Sequence, residues 1–124
     1  MRTAVVITAS NRASRGEYAD LSGASLAKGL NALGYEVSGP HVVADSIDLI
    51  SEQLTVALAN KSRLIVTTGG TGVSPTDVTP EATAPFIEKV IPGFSEALRA
   101  HSREKVPTSD LTRGLVGTHA TSLI

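Results

Sequence analysis

Arg63-Leu64-Ile65-Val66-Thr67-Thr68-Gly69-Gly70-Thr71-Gly72-Val73-Ser74-Pro75-Thr76-Asp77-Val78-Thr79-Pro80-Glu81 carries a strand, a loop and a helix start in succession. After Arg63 the run to Thr68 is apolar and β-branched, the pattern of a strand covered on both faces. Three glycines in four positions then open a loop from Gly69 to Thr79. Glycine supplies the backbone freedom for a tight turn and for close approach to a ligand. Thr79-Pro80-Glu81 predicts a helix start, with a hydroxyl cap, a proline at the first helical position and an acid in the first turn.

Upstream, the same pattern repeats. Thr3–Ala9 (TAVVITA) is a second buried-type strand, followed by a polar loop over residues 10–20. Leu26, Leu30 and Leu33 recur at helical spacing beside Ala27, and Gly34 is the expected stop. Tyr35 to Ala44 is a less regular strand that contains Pro40, and Ile47, Ile50, Leu54, Ala57 and Leu58 share one face of a second helix. Downstream, Pro85 removes a backbone donor and should kink the helix that starts at Thr79. Ile91-Pro92-Gly93 should end it, and Phe94 to Arg103 should form an amphipathic helix with Phe94, Ala97, Leu98 and His101 on one side. Strands alternating with helices predict an α/β domain with a mostly parallel sheet.

Composition narrows the function. The chain has 124 residues, enough for one core, and a formal charge of −1. That balance argues against a nucleic-acid or membrane-surface protein driven by bulk charge. Aromatic side chains are limited to Tyr18, Tyr35, Phe86 and Phe94, too few for base-stacking platforms. The absence of cysteine excludes disulfides, thiolate metal sites and a cysteine nucleophile. The apolar run Ala4-Val5-Val6-Ile7 is shorter than a signal-peptide core, and no stretch approaches the ~20 residues of a membrane span. The expected location is the cytoplasm.

In open α/β sheets ligands bind beyond the carboxyl ends of the strands. Those ends here carry Ser10-Asn11-Arg12, then Asp45, then the loop from Gly69 to Asp77. No charged side chain occurs between Leu64 and Thr76, and Asp77 is the first charge after the strand. Consecutive loop amides can form an anion-binding nest, with the hydroxyls of Thr71, Ser74 and Thr76 as extra donors. A carboxylate beside them could hold Mg²⁺ against phosphate oxygens. A glycine-rich turn can equally be structural, and either Asp45 or Ser46 could cap the second helix. Arg12 could clamp a phosphate. Walker-type and dinucleotide fingerprints are absent: no lysine lies between Lys61 and Lys89, and Pro75 stands where the last glycine would be required. His41, His101 and His119 lack metal-ligand spacing and read as structural or surface residues, His101 as half-buried.

The run from Thr67 to Thr83 (TTGGTGVSPTDVTPEAT) resembles the signature of the MoaB/Mog family of molybdenum-cofactor biosynthesis proteins. Ser10 to Asp20 resembles the family's first loop, and Ile91-Pro92-Gly93-Phe94, Val106-Pro107-Thr108-Ser109 and Leu111-Thr112-Arg113-Gly114 resemble its later segments. The resemblance covers residues 1–124 as one molybdopterin-binding domain. It implies a three-layer α/β/α fold and a homotrimer. It implies adenylyl transfer from MgATP to molybdopterin, giving adenylyl-molybdopterin and pyrophosphate, with molybdate inserted afterwards on a partner protein. Asp45 and Asp77 match the two acids tied to catalysis through Mg²⁺. Gly69, Gly70, Thr71 and Gly72 match the phosphate-binding turn, with Ser74 and Thr76 as further contacts. Two departures accompany it. Asn11 stands where many members have Asp, and the family continues past Ile124 with an Asn-Leu-Pro-Gly-type loop and a terminal helix. Two other readings compete: a non-catalytic molybdopterin or nucleotide binder of the same family, and a CinA-type hydrolase, which normally carries a further domain.

Overall fold

The computed structural model describes residues 2–124. Thr3–Ala9 forms β1, and the alternation of its side chains builds two cores at once. Val5, Ile7 and Ala9 point to one face, where they join Ile50, Leu54 and Ala57. Ala4 and Val6 point to the other and join Leu30, with Leu26 and Ala27 packed alongside. Helices therefore cover both faces: α2 (Leu21–Ala32) on one, α3 (Ile47–Ala59) and α4 (Thr79–Thr83) on the other. This is the expected three-layer α/β/α arrangement.

The sheet includes β2 (Glu36–Val43), β3 (Leu64–Thr68), β4 (Lys89–Val90), β5 (Gly117–His119) and β6 (Ser122–Leu123), in the order β2-β1-β3-β6-β5-β4. β2, β1, β3 and β6 run parallel; β5 pairs antiparallel with β6, and β4 pairs antiparallel with β5. The register of β1 on β2 shifts between Val5 and Ile7, and that shift explains why this stretch alternates poorly. β3 meets β6 at Leu64↔Leu123, and Ser122 Oγ donates to Ser62 O at 2.5 Å to fix that edge. Because β2 and β3 flank β1 on opposite sides, the strand order reverses there, and a crevice opens beyond the carboxyl ends of β1 and β3.

Several local expectations are corrected. Residues 10–20 are not all loop: Asn11–Ser14 forms one helical turn, α1, because Ser10 Oγ accepts from the Ala13 amide at 3.2 Å. Leu33 lies at the helix end and is 69% exposed rather than in the core. The helix begun at Thr79 ends at Thr83 instead of reaching Ile91. Proline at 85 cannot extend it, so the chain makes a 3-10 turn over Ala84–Phe86 and pairs as β4 with β5. Pro92-Gly93 opens the next helix rather than closing the previous one. With Pro92 at its first position, α5 spans Pro92–Arg103. His101, like Phe94 and Leu98 on this helix, is exposed.

Candidate functional site

A cavity of about 440 Å³ occupies the crevice, lined among others by Ser10, Tyr18, Asp45, Gly69, Gly70 and Asp77. The glycine loop shapes it. Gly69 and Gly70 both take left-handed backbone (φ 87° and 65°). A Cβ on Gly69 would collide with the Ala9 carbonyl oxygen, so β1 and the loop meet at a distance only glycine permits.

Hydrogen bonds then commit the loop's carbonyls one after another. Thr79 Oγ1 donates to Gly69 O at 2.9 Å and the Thr79 amide to Gly70 O at 3.0 Å. The Arg113 amide donates to Thr71 O at 2.7 Å, and Arg113 Nε to Gly72 O at 2.8 Å. The amides of Thr71, Gly72 and Val73 donate to no partner among the described residues. A turn with its carbonyls tied back and its N–H groups free is built to accept an anion. Thr79 does not cap its helix as expected. Val78 is the residue before α4, and the Thr79 hydroxyl is a strap across the loop.

The two acids are held by different devices. Ser46 caps α3, its Oγ accepting from the Leu49 amide at 3.3 Å, which relieves Asp45 of that task. Asp45 and Asn11 instead bond reciprocally: Asp45 Oδ2 accepts from the Asn11 amide at 3.1 Å, and the Asp45 amide donates to Asn11 Oδ1 at 2.9 Å. Asp45 Oδ1 is buried without a hydrogen-bond partner among the described residues. Native proteins seldom leave such an atom unsatisfied without a reason. Asp77 is fixed within its own turn. Its Oδ2 accepts from the Ser74 amide at 2.9 Å, and its amide donates to Ser74 O at 2.9 Å.

Of the residues singled out from sequence, Asp45, Asp77, Gly69 and Gly70 gather around this one cavity. Thr71 lines a neighbouring cavity of about 280 Å³, which Gly69 also borders. That second cavity carries the hydroxyls of Thr79, Thr83, Ser95 and Ser102, one arginine, Arg99, and no carboxylate. Gly72, Ser74 and Thr76 belong to the loop tip and line neither. The Ser74 and Thr76 hydroxyls lie 3.2 Å apart, hydrogen-bonded to each other. Arg12 lies over the Tyr18 ring, 5.2 Å from its centre, and the Tyr18 hydroxyl bonds Ser10 Oγ at 2.9 Å.

Sequence reasoning missed Asn11 as the partner of Asp45, Thr79 as a strap, and Arg113. Nη2 of Arg113 donates to Asp77 O at 2.9 Å. Its Nη1 and Nη2 reach Glu81 at 2.6 and 3.1 Å. Hydrogen bonds from Arg113 hold the Glu81 carboxyl below the usual glutamate range, and the same bonds push the guanidinium further up. The only signal in the sequence was the Leu-Thr-Arg-Gly segment itself, which carries no spacing rule that ties it to residues 72 and 77.

Among the described residues, no three His, Cys, Asp or Glu side chains gather as a ready metal cage. A divalent ion here would therefore share its coordination with phosphate oxygens, the usual habit of Mg²⁺.

Residues 5–121 match the family model described as "Probable molybdopterin binding domain". The chain is 41% identical over 126 aligned residues to a molybdopterin adenylyltransferase of Helicobacter pylori, covering 96% of this chain and 69% of the relative. It superposes on the molybdopterin biosynthesis Mog protein of Mycobacterium ulcerans with a TM-score of 0.92 at 42% identity, covering 100% of this chain and 81% of that one. The molybdopterin biosynthesis enzyme MoaB of Thermus thermophilus gives 0.90 at 33% identity, covering 100% and 79%.

Proposed function

The chain belongs to the molybdopterin-binding family that residues 5–121 match, and from that premise we propose that it transfers the adenylyl group of ATP to molybdopterin. A phosphate oxygen of molybdopterin attacks the α-phosphorus of ATP. A new P–O bond forms, the α–β phosphoanhydride bond breaks, and its electron pair leaves with pyrophosphate. Such a reaction needs little covalent help from the protein. It needs aligned reactants and compensated charge.

The observation that carries the reading is the unpartnered, buried Oδ1 of Asp45 beside Gly70, 3.1 Å from where a Cβ on that glycine would stand, at the start of a loop whose amides from Thr71 to Val73 are free. The amides and the Gly69-Gly70 turn are suited to hold triphosphate oxygens. Ser74 and Thr76 act in this reading by bracing the loop tip. Asp45 and Asp77 fit Mg²⁺, because both border the cavity and Asp45 keeps one oxygen without a hydrogen-bond partner. Bound Mg²⁺ would supply compensation for phosphate charge. The hydroxyl-lined cavity on the far side of Gly69 suits the acceptor, since it offers donors and Arg99 with no opposing carboxylate. The exposed apolar side chains of Phe94, Leu98 and Leu111 support assembly with further copies, and a homotrimer belongs to the same reading. A cytoplasmic setting and hand-over to a molybdate-inserting protein belong to the same reading.

The test is pyrophosphate release from ATP, Mg²⁺ and molybdopterin. Wild type should turn over, and Asp77→Ala should lose at least about 100-fold in kcat, as when one charge-stabilising group is removed from a transition state. ATP binding without pyrophosphate in the wild type would replace the transferase by a binding protein. Near-native turnover by Asp77→Ala would remove the role given to that acid.

A further inference from the structure

We propose that Arg113 is a positioning residue for this transfer: it holds the glycine loop with its amides turned to the nucleotide phosphates and touches no substrate itself. The inference rests on the function proposed above.

One residue closes three backbone acceptors of the loop, Thr71 O, Gly72 O and Asp77 O. In a trans peptide, a carbonyl and the following N–H point in opposite directions. Tying Thr71 O and Gly72 O to Arg113 therefore turns the Gly72 and Val73 amides away from it. Neither of those amides finds a partner among the described residues. The guanidinium also joins Gly72 to Asp77, so it fixes both flanks of the loop tip and with them the carboxylate at 77. Glu81 orients the fork from the first turn of α4 through both terminal nitrogens. Thr112 adds a stitch beside it, donating from Oγ1 to Thr71 Oγ1 at 2.9 Å.

All three guanidinium nitrogens thus donate within the protein, and the charge has a carboxylate partner. That is the arrangement of a brace rather than of a free phosphate clamp. A planar fork can reach acceptors in several directions at fixed angles, which a lysine ammonium cannot reproduce.

The test uses the full chain carrying Arg113→Lys, with Arg113→Ala beside it. Three quantities are measured: kcat and KM for ATP from pyrophosphate release, NMR order parameters of the Thr71, Gly72 and Val73 amides, and the melting temperature. In Arg113→Lys, kcat should fall about 10- to 100-fold, as expected for small misplacements of a catalytic framework. KM should change much less, the melting temperature should stay near wild type, and the Val73 order parameter should drop most, because the main-chain donors of Arg113 and Thr79 still hold Thr71 O and Gly70 O. Recovery of turnover to within twofold by lysine would mean that charge alone suffices, and would overturn the proposal. A lowered melting temperature with unchanged kcat would reduce Arg113 to a stabilising residue and overturn it too. If the wild type itself releases no pyrophosphate, the transferase reading fails separately. The brace is then judged by the order parameters and by binding of inorganic pyrophosphate, and a loop as rigid and as retentive in Arg113→Lys as in wild type overturns it.

Discussion

Asp45→Asn should make the protein more stable and less able to bind nucleotide. The carboxylate sits with Oδ1 buried and unpaired, while Oδ2 accepts from the Asn11 amide. A buried polar atom without a partner costs roughly 1–3 kcal/mol, and more if it carries charge. Asparagine can keep an oxygen for the Asn11 amide and places a neutral amide NH2 where the spare oxygen was. A neutral group there costs less than an ionised one, and about 1 kcal/mol should be recovered. For a domain of this size that is roughly 3–6 °C in melting temperature. The assay is thermal unfolding by calorimetry, with and without ATP and Mg²⁺. Ligand at 100 times its Kd should stabilise the wild type by about 2.7 kcal/mol. The variant should start higher and gain little. A melting temperature at or below wild type would show that the spare oxygen carries no burial cost. An undiminished response to ATP and Mg²⁺ would show that no ligand uses it.

Two glycines separate folding from chemistry. Gly69→Ala combines a left-handed backbone with a clash against the Ala9 carbonyl. It should cost about 1–2 kcal/mol for conformation and about 1–3 kcal/mol for overpacking, read as a lower urea midpoint. Gly72→Ala meets only the end of a side chain, Asp77 Oδ2 at 2.7 Å from the added carbon. Stability should change by less than about 1 kcal/mol, while turnover falls because the Asp77 carboxylate is displaced. A Gly72→Ala enzyme with native kcat would contradict this. The ion pair of Arg113 and Glu81 predicts a pH dependence. Because the folded Glu81 pKa is lowered, its stabilisation is complete above the usual glutamate value, about 4.3, and is lost as pH falls through the folded value. Melting curves of wild type and Glu81→Gln should differ at neutral pH and converge in acid. A constant gap down to about pH 3, well below that reference, would contradict the assignment.

The fold was legible where burial is two-sided or strictly periodic. β1 and β3 announce themselves as unbroken β-branched runs because both of their faces are covered. Ile50 and Leu54 mark the buried stripe of α3 in the same direct way. The segment after Pro85 was not legible, since its extended form depends on pairing with Gly117 and Thr118, about thirty residues away. At the site, the strand-end rule pointed to Asp45 and Asp77, and the glycines to the turn between them. The supports did not show, because each acts across a gap that no local pattern records. Asn11 reaches Asp45 across 34 positions, and Arg113 reaches Gly72 across 41. Thr79 misled for a related reason: its neighbours Pro80 and Glu81 suit a cap, but Gly69 competes for the hydroxyl and wins it.

The division of labour between Asp45 and Ser46 has a practical consequence. Adjacent positions serve unrelated ends: the hydroxyl at 46 secures the start of α3, and the acid at 45 faces the crevice. A saturation library at position 45 would therefore leave the α3 cap in place while it varies both the group at the crevice and the acceptor of the Asn11 amide, so that losses across such a library call for an unfolding curve beside each turnover measurement.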